Sequence, residues 1–271
     1  MIALLALPAI FWFGLLLKIV MTVGIVVAAS VVVERSGPFV GSLIASLPTA
    51  GGAVLIILAI EHTPHFITLS AVGSLISNAI CAVFALTYAF LAQRRSLLVS
   101  LGGAFLMWFF LAALSRLVDW TVPSAVLLNA VVYPLAIYAG RSLRADGPVK
   151  ARVRLTAQDL AWRAGIVTLS VLVVTGLSSS IGSFASGLFS FFPVAMASYF
   201  VILHPRIGGK ATASVAAHVQ LPLIGLVLSL IAVHFLAEPI GVWWSYAVGL
   251  SIGMSWNGGL WLWKNSRRLA A

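Results

Sequence analysis

Long apolar runs follow one another along almost the whole chain, and this feature limits the fold more than any other. Only 8% of the 271 residues are charged and 62% are hydrophobic, with a mean hydropathy of +1.12. In soluble domains, roughly a quarter of all residues are charged. Because each transmembrane helix needs about 20 apolar residues, the composition predicts an all-α integral membrane protein with about nine such helices and no soluble domain.

Charged and turn-forming residues divide the apolar sequence into nine predicted spans. The spans are residues 10–33, 39–60, 66–92, 96–115, 122–140, 160–177, 183–203, 211–237 and 240–263. The longest polar segment, residues 141–159, is interpreted as a basic cytoplasmic linker between two halves of the protein.

The positions of Lys and Arg predict the orientation of the chain. If the 141–159 linker is cytoplasmic, every connection of net positive charge lies on the same side, as the positive-inside rule requires. The other side then holds loops such as the uncharged residues 178–180. We therefore expect a multi-pass protein of a bacterial inner (cell) membrane, with its N-terminus outside and its C-terminus in the cytoplasm. The net charge of +10 comes from these short connections, so it does not indicate a nucleic-acid partner.

A weak internal repeat relates the two halves. Each half has a charged residue, a span, a glycine turn, a span interrupted by proline, a polar turn and a long third span. An odd number of spans separates the copies, which would invert the second copy across the membrane. The chain is thus predicted to contain two inverted four-helix repeats joined by a fifth helix. Residues 1–140 would hold the first repeat and the fifth helix, and residues 160–271 would hold the second repeat and a basic tail. A shift of 145 residues pairs Lys18 with Arg163, Gly37 with Gly182, and Pro48 with Pro193.

The two prolines in the middle of apolar spans are the main functional signal. A proline removes one backbone donor and disturbs the preceding turn, and lipid cannot satisfy the polar groups that are freed. Paired interrupted helices in inverted repeats are common in secondary transporters, where they hold the substrate near the midplane. A kink used only for packing is the alternative. The predicted substrate-binding residues are Pro48, Thr49, Gly51, Gly52, Pro193, Ser198 and His218.

Four charged or titratable residues are candidates for coupling or for charge recognition: Lys18, Glu61, His62 and Arg163. A cation at bilayer depth is costly and often functional, but a long side chain near a span end can also extend to the headgroups. Glu61 could equally be a solvated cap, and His218 a structural histidine. His62 and His65 flank Pro64 without a third ligand, so no metal site is predicted.

No catalytic, nucleotide-binding or cofactor-binding motif occurs, and we expect neither enzyme activity nor a cofactor. The predicted function is a secondary transporter or exporter of a small solute or lipid-like metabolite. Two alternatives stay open: a non-transporting scaffold or subunit, and a membrane enzyme acting on a lipid or polyprenyl substrate through Glu61, His62 and His65. The expected partners are the lipid bilayer and a small-molecule substrate that the sequence leaves unknown, and a homo-oligomer is compatible with the sequence.

Two other residue types receive structural interpretations. The single cysteine, Cys81, excludes a disulfide within the chain and is interpreted as a small buried hydrophobic residue. Three asparagines within spans are interpreted as hydrogen-bond partners between helices. They are Asn78, Asn129 and Asn257.

Overall fold

The computed structural model describes residues 16, 18–24, 27–28, 49–145 and 156–269. These residues are helical, with short connections and no β-strand, which confirms the all-α prediction for this part of the chain. Pro48 and Gly37 lie outside the described residues, as do more than half of the first predicted span and residues 39–48 of the second. The nine-span count and the repeat therefore remain predictions.

Ten helices make up the described fold, besides a short helical stretch at residues 18–24. They are α1 (Thr49–Glu61), α2 (Pro64–Ala92), α3 (Leu97–Ser115), α4 (Val122–Ala139), α5 (Arg141–Ala145), α6 (Ala157–Ser190), α7 (Val194–Ile207), α8 (Gly209–His218), α9 (Gln220–Leu236) and α10 (Val242–Leu269).

Five helical segments of the described chain are long and apolar enough to cross a membrane. Two of them, α3 and α4, lie at the periphery and expose large apolar side chains, including Leu98, Leu106 and Leu127. Apolar surface of this extent is unfavourable in water and matches lipid. The fold is therefore consistent with a helical membrane protein. The five segments are Pro64–Ala92, Leu97–Ser115, Val122–Ala139, Ala157–Ile207 and Gly209–Leu236.

Helix α2 lies at the centre of the fold. It packs against α3, α4, α6, α8 and α9, and most of its side chains are buried. It begins at Pro64, whose missing N–H needs no partner in a first turn, and the Thr63 side chain accepts a hydrogen bond from the Phe66 N–H. Five of the other described helices are thus positioned against a single long helix.

The chain turns back within α6, at Gly182. This residue has φ 81° and ψ 170°, a conformation that glycine adopts without a Cβ penalty. Ser186 Oγ donates to the Ser178 carbonyl at 3.3 Å, although eight residues of straight helix would span about 12 Å. Residues 157–181 therefore form one arm and residues 183–190, continued by α7, the returning arm. The two arms correspond to the sixth and seventh predicted spans.

The returning arm is interrupted at Pro193, where the sequence predicts a break. The helical hydrogen-bonding pattern ends at Ser190 and resumes at Val194, with Pro193 as the N-cap residue of α7. A second interruption, at Val219, separates α8 from α9 within the predicted span 211–237. It lies three residues before Pro222, which cannot donate to the turn preceding it.

The structure corrects the prediction of a loop at residues 178–180. These serines are helical, and Ser178 is buried. Ser178 Oγ donates to the Thr175 carbonyl of the preceding turn at 2.8 Å, so the hydroxyl is satisfied inside the helix. The predicted linker 141–159 is also partly helical, because α5 occupies its start and α6 begins at Ala157.

Helices α2 and α6 cross at two glycines with their backbones in contact. A Cβ added at Gly187 would overlap the carbonyl oxygen of Ser70, and one added at Gly73 would overlap that of Phe184. Ser74 Oγ donates to the Gly187 carbonyl at 3.1 Å across the same crossing. Small residues permit this approach, as they do between many membrane helices.

Candidate functional site

The start of α1 and the interruption at Pro193 lie against each other. A Cβ at Gly51 would stand 2.7 Å from Cε1 of Phe191, which precedes Pro193 by two residues. Gly51 itself follows Pro48 by three residues, although Pro48 lies outside the described part of the chain. The structure thus brings one residue of the first predicted break into contact with the second break.

Protein groups satisfy part of the backbone freed at the Pro193 interruption. The Cys81 thiol donates to the Phe191 carbonyl at 3.1 Å, and the Phe192 N–H donates to the Phe189 carbonyl at 3.0 Å. The Phe192 ring packs edge-on against Trp108, with ring centroids 4.8 Å apart. Cys81 is buried, as predicted, but it also supports the break, which the sequence did not indicate.

Three of the four predicted charge candidates lie near the end of the first arm of α6, just before its turn at Gly182. Lys18 Nζ is 2.6 Å from Glu61 Oε1 and 3.3 Å from Thr175 Oγ1. His62 Nε2 lies 2.7 Å from Ser178 Oγ, and its ring stacks on Phe66. Because the Ser178 hydroxyl donates to the Thr175 carbonyl, it accepts from His62. We refer to the Lys18–Glu61 contact as the first ion pair.

A second ion pair lies at the other end of α6. Arg206, near the end of α7, donates to both carboxylate oxygens of Asp159, at 2.6 and 2.8 Å. Asp159 also accepts from the Thr156 N–H at 2.7 Å, which fixes the first turn of α6. Sixteen residues separate Asp159 from Thr175, so the two ion pairs lie about 24 Å apart along the helix.

Arg163, one helical turn after Asp159, belongs to neither ion pair and is buried inside the protein. Its side chain is 2% exposed, and its Cζ is 3.5 Å from the centroid of the Tyr199 ring. Nε and Nη1 have no hydrogen-bond partner among the described residues. This burial does not support the interpretation that Arg163 extends to the headgroups.

The remaining predicted substrate residues do not converge at one point in the described structure. Ser198 is buried and donates to the Ala195 carbonyl of its own helix at 2.7 Å. His218 Nδ1 is 2.7 Å from the Ser214 carbonyl, again within one helix. Thr49 is the first residue of α1, and its side chain is not described.

A cavity of about 170 Å³ lies between α1, α9 and α10. Gly52, a predicted substrate residue, lines it from α1, and Pro222 and Leu226 line it from α9. Its lining is almost entirely apolar, apart from a few polar groups on α10 such as Asn257. Gly51 and Gly52 therefore lie on different faces of α1, one toward Phe191 and the other toward the cavity.

Two of the three asparagines join helices, as interpreted from the sequence. Asn78 Nδ2 donates to the Leu223 carbonyl at 3.2 Å, and Asn129 Nδ2 donates to the Leu75 carbonyl at 3.0 Å. The Oδ1 atoms of all three lack a hydrogen-bond partner in the described part of the chain, and Asn257 differs in that its side chain makes no bond to another helix there. It is the one asparagine of the three that lines the cavity.

These features describe a helical protein with several segments suited to a bilayer and with interrupted helices beside a small apolar cavity. Comparison of the chain with family models, curated proteins and solved structures finds no match.

Proposed function

We propose that this protein is a secondary carrier of a small solute, built from two inverted repeats and working by alternating access. In such carriers, interrupted helices hold the solute near the midplane while the access path opens on one side at a time. The proposed solute position is the region around Gly51, Gly52 and the Pro193 interruption.

The arrangement of the two ion pairs is the observation that carries this proposal. Each pair joins the end of one span to a residue near the beginning of the span before it: Glu61 to Lys18 and Arg206 to Asp159. The span that ends near Arg206 is interrupted at Pro193, and the one that ends at Glu61 is predicted to be interrupted at Pro48. The charges are reversed, and the pairs lie at opposite ends of the first arm of α6, residues 157–181. Two inverted hairpins closed at opposite membrane faces would have this arrangement.

In this mechanism α6 is the fixed element against which both interrupted spans move. At its outer end it holds α1 through the contacts of Lys18 with Thr175 and of His62 with Ser178. At its inner end it holds α7 through Asp159 and Arg206. Release of the first ion pair opens the outer path, and release of the second opens the inner path. Under this proposal the state with both pairs formed is occluded, and both pairs are formed in the structure.

The test measures access to the centre of the membrane from each side. Gly52 lies nine residues before Glu61, so it is about 14 Å from the outer end of α1, near the middle of a core about 30 Å thick. A Gly52→Cys variant in a Cys81→Ser background is treated with a membrane-impermeant thiol reagent, in spheroplasts and in inside-out vesicles. We expect Glu61→Gln to raise labelling from the outside only, and Arg206→Gln from the inside only, each by at least about twofold.

The matched control is Lys210→Gln, which removes a nearby exposed charge that is not part of the second ion pair. It should leave both labelling rates unchanged. Equal labelling from both sides, or no response to either ion-pair variant, would favour the scaffold alternative and refute the carrier. We favour transport over catalysis by His62 because its ring is already engaged by Ser178 and Phe66.

A further inference from the structure

The cavity between α1, α9 and α10 carries an inference about the chemical class of the solute. Its volume of about 170 Å³ slightly exceeds that of an engineered protein cavity, about 150 Å³, that binds benzene. An apolar lining of this size suits a single ring or an equivalent branched hydrocarbon.

One polar atom in the lining lacks a partner. Asn257 is 8% exposed, and its Oδ1 atom has no hydrogen-bond partner among the described residues. The other polar side chains of the lining are engaged, since Tyr246 donates to the Leu55 carbonyl at 3.0 Å and Ser229 to the Gly249 carbonyl at 2.7 Å. A buried acceptor without a donor is unfavourable by about 1–3 kcal/mol, so a ligand that supplies the donor gains this term.

We propose that this cavity binds a small, mainly apolar molecule with one hydroxyl or N–H group, with the ring or alkyl part against Leu226 and Gly253 and the donor on Asn257. The inference deepens the proposed function by naming the substrate class, and it rests on that function only for the claim that the ligand is carried. The cavity lies beside α1, so outward movement of α1 would open it.

The probes are 4-fluorophenol and 4-fluorotoluene, which have nearly the same shape and differ in one donor group. Their dissociation constants are measured by ¹⁹F NMR on the purified protein in detergent, with empty micelles as the reference. We expect both probes to bind, and the phenol to bind roughly 3- to 10-fold more tightly, as one neutral hydrogen bond predicts. In Asn257→Leu the two affinities should become equal.

Filling the cavity provides the second variant. No described atom lies within 4 Å of a Cβ placed at Gly52, so Gly52→Leu extends into the cavity without a backbone clash and should abolish binding of both probes. Gly176→Leu is the matched control, since Gly176 is exposed on α6 and equally unobstructed within the described structure. It should bind both probes like the parent protein.

Each other outcome overturns the inference. Binding that is the same in Gly52→Leu and in the parent protein places the probes elsewhere. A preference for the phenol that persists in Asn257→Leu removes the hydrogen-bond assignment. A phospholipid retained by the parent and lost from Gly52→Leu, seen by native mass spectrometry, makes the occupant an acyl chain. If the probes bind but the labelling of Gly52→Cys does not change, the binding site stands and the carrier is refuted. If the labelling changes but no probe binds, the carrier stands and the binding site is refuted.

Discussion

Replacing Gly187 by alanine tests the contact between the two longest helices of the described structure. The added methyl group would overlap the Ser70 carbonyl, which is backbone and cannot rotate away. Helices α2 and α6 must then separate. Overpacking of this kind usually costs 1–3 kcal/mol, and separation also weakens the hydrogen bond from Ser74 to the Gly187 carbonyl, worth about 0.5–1.5 kcal/mol. We expect Gly187→Ala to lower the free energy of unfolding by about 2–4 kcal/mol.

The assay is equilibrium unfolding in mixed micelles with increasing SDS, followed by far-ultraviolet circular dichroism. Gly176→Ala is the matched control in the same helix, because no described atom lies within 4 Å of its Cβ. There the substitution should stabilise the protein by about 0.5–1 kcal/mol through helix propensity alone. Gly73→Ala acts at the same crossing, so its effect should not add fully to that of Gly187→Ala. If Gly187→Ala is as stable as Gly176→Ala, the described crossing is wrong.

Three further predictions concern single residues. Arg163→Met should raise the free energy of unfolding by about 1–3 kcal/mol, because it removes a buried guanidinium whose Nε and Nη1 lack partners among the described residues. A loss of stability in this variant would contradict the prediction. Cys81, buried and donating to the Phe191 carbonyl, should react with N-ethylmaleimide only after unfolding, and rapid labelling of the folded protein would show that the Pro193 region is open. Thr156→Ala should cost about 1 kcal/mol through loss of the α6 cap, whereas no change would remove that cap from the account.

The boundaries of the helices that follow α1 could be predicted closely where charges bracket an apolar run. The predicted spans 66–92, 96–115 and 122–140 differ from α2, α3 and α4 by at most two residues at either end. Hydropathy alone decides such boundaries, since a helix that enters lipid ends where polar side chains reach water. The same reasoning predicted that the last span ends at residue 263, whereas α10 continues to Leu269. Beyond the membrane a helix needs no apolar side chains, so hydropathy does not mark its end.

Polar residues inside the protein were predicted less well. The serines at 178–180 were interpreted as a loop because of their composition, yet Ser178 is satisfied by the carbonyl of its own preceding turn. Composition does not reveal whether a hydroxyl bonds to its own helix or to water. The interruption at Pro193 was predicted because proline lacks the N–H donor, but Pro134 and Pro205 lie inside continuous helices, so a proline alone does not decide where a helix breaks.

The contacts of the candidate site depend on residues far apart in the chain. Lys18 and Glu61 were both singled out from the sequence, but nothing in it indicated that they pair. Asp159 was assigned to the linker, and its partner Arg206 to a basic turn. The cavity was missed for the same reason, because α1, α9 and α10 meet only in the folded chain. The four-residue spacing of Gly249 and Gly253 was the one available signal for close packing there.

The central claim is that the two ends of the first arm of α6 release their partners alternately. Double electron–electron resonance in the Cys81→Ser protein tests this with one spin-label pair at positions 60 and 180 across the first ion pair, and a second at positions 158 and 207 across the second. The account predicts that Glu61→Gln lengthens only the first distance and Arg206→Gln only the second, with no population in which both are long. Distances that stay fixed in both variants, or that lengthen together, would contradict it.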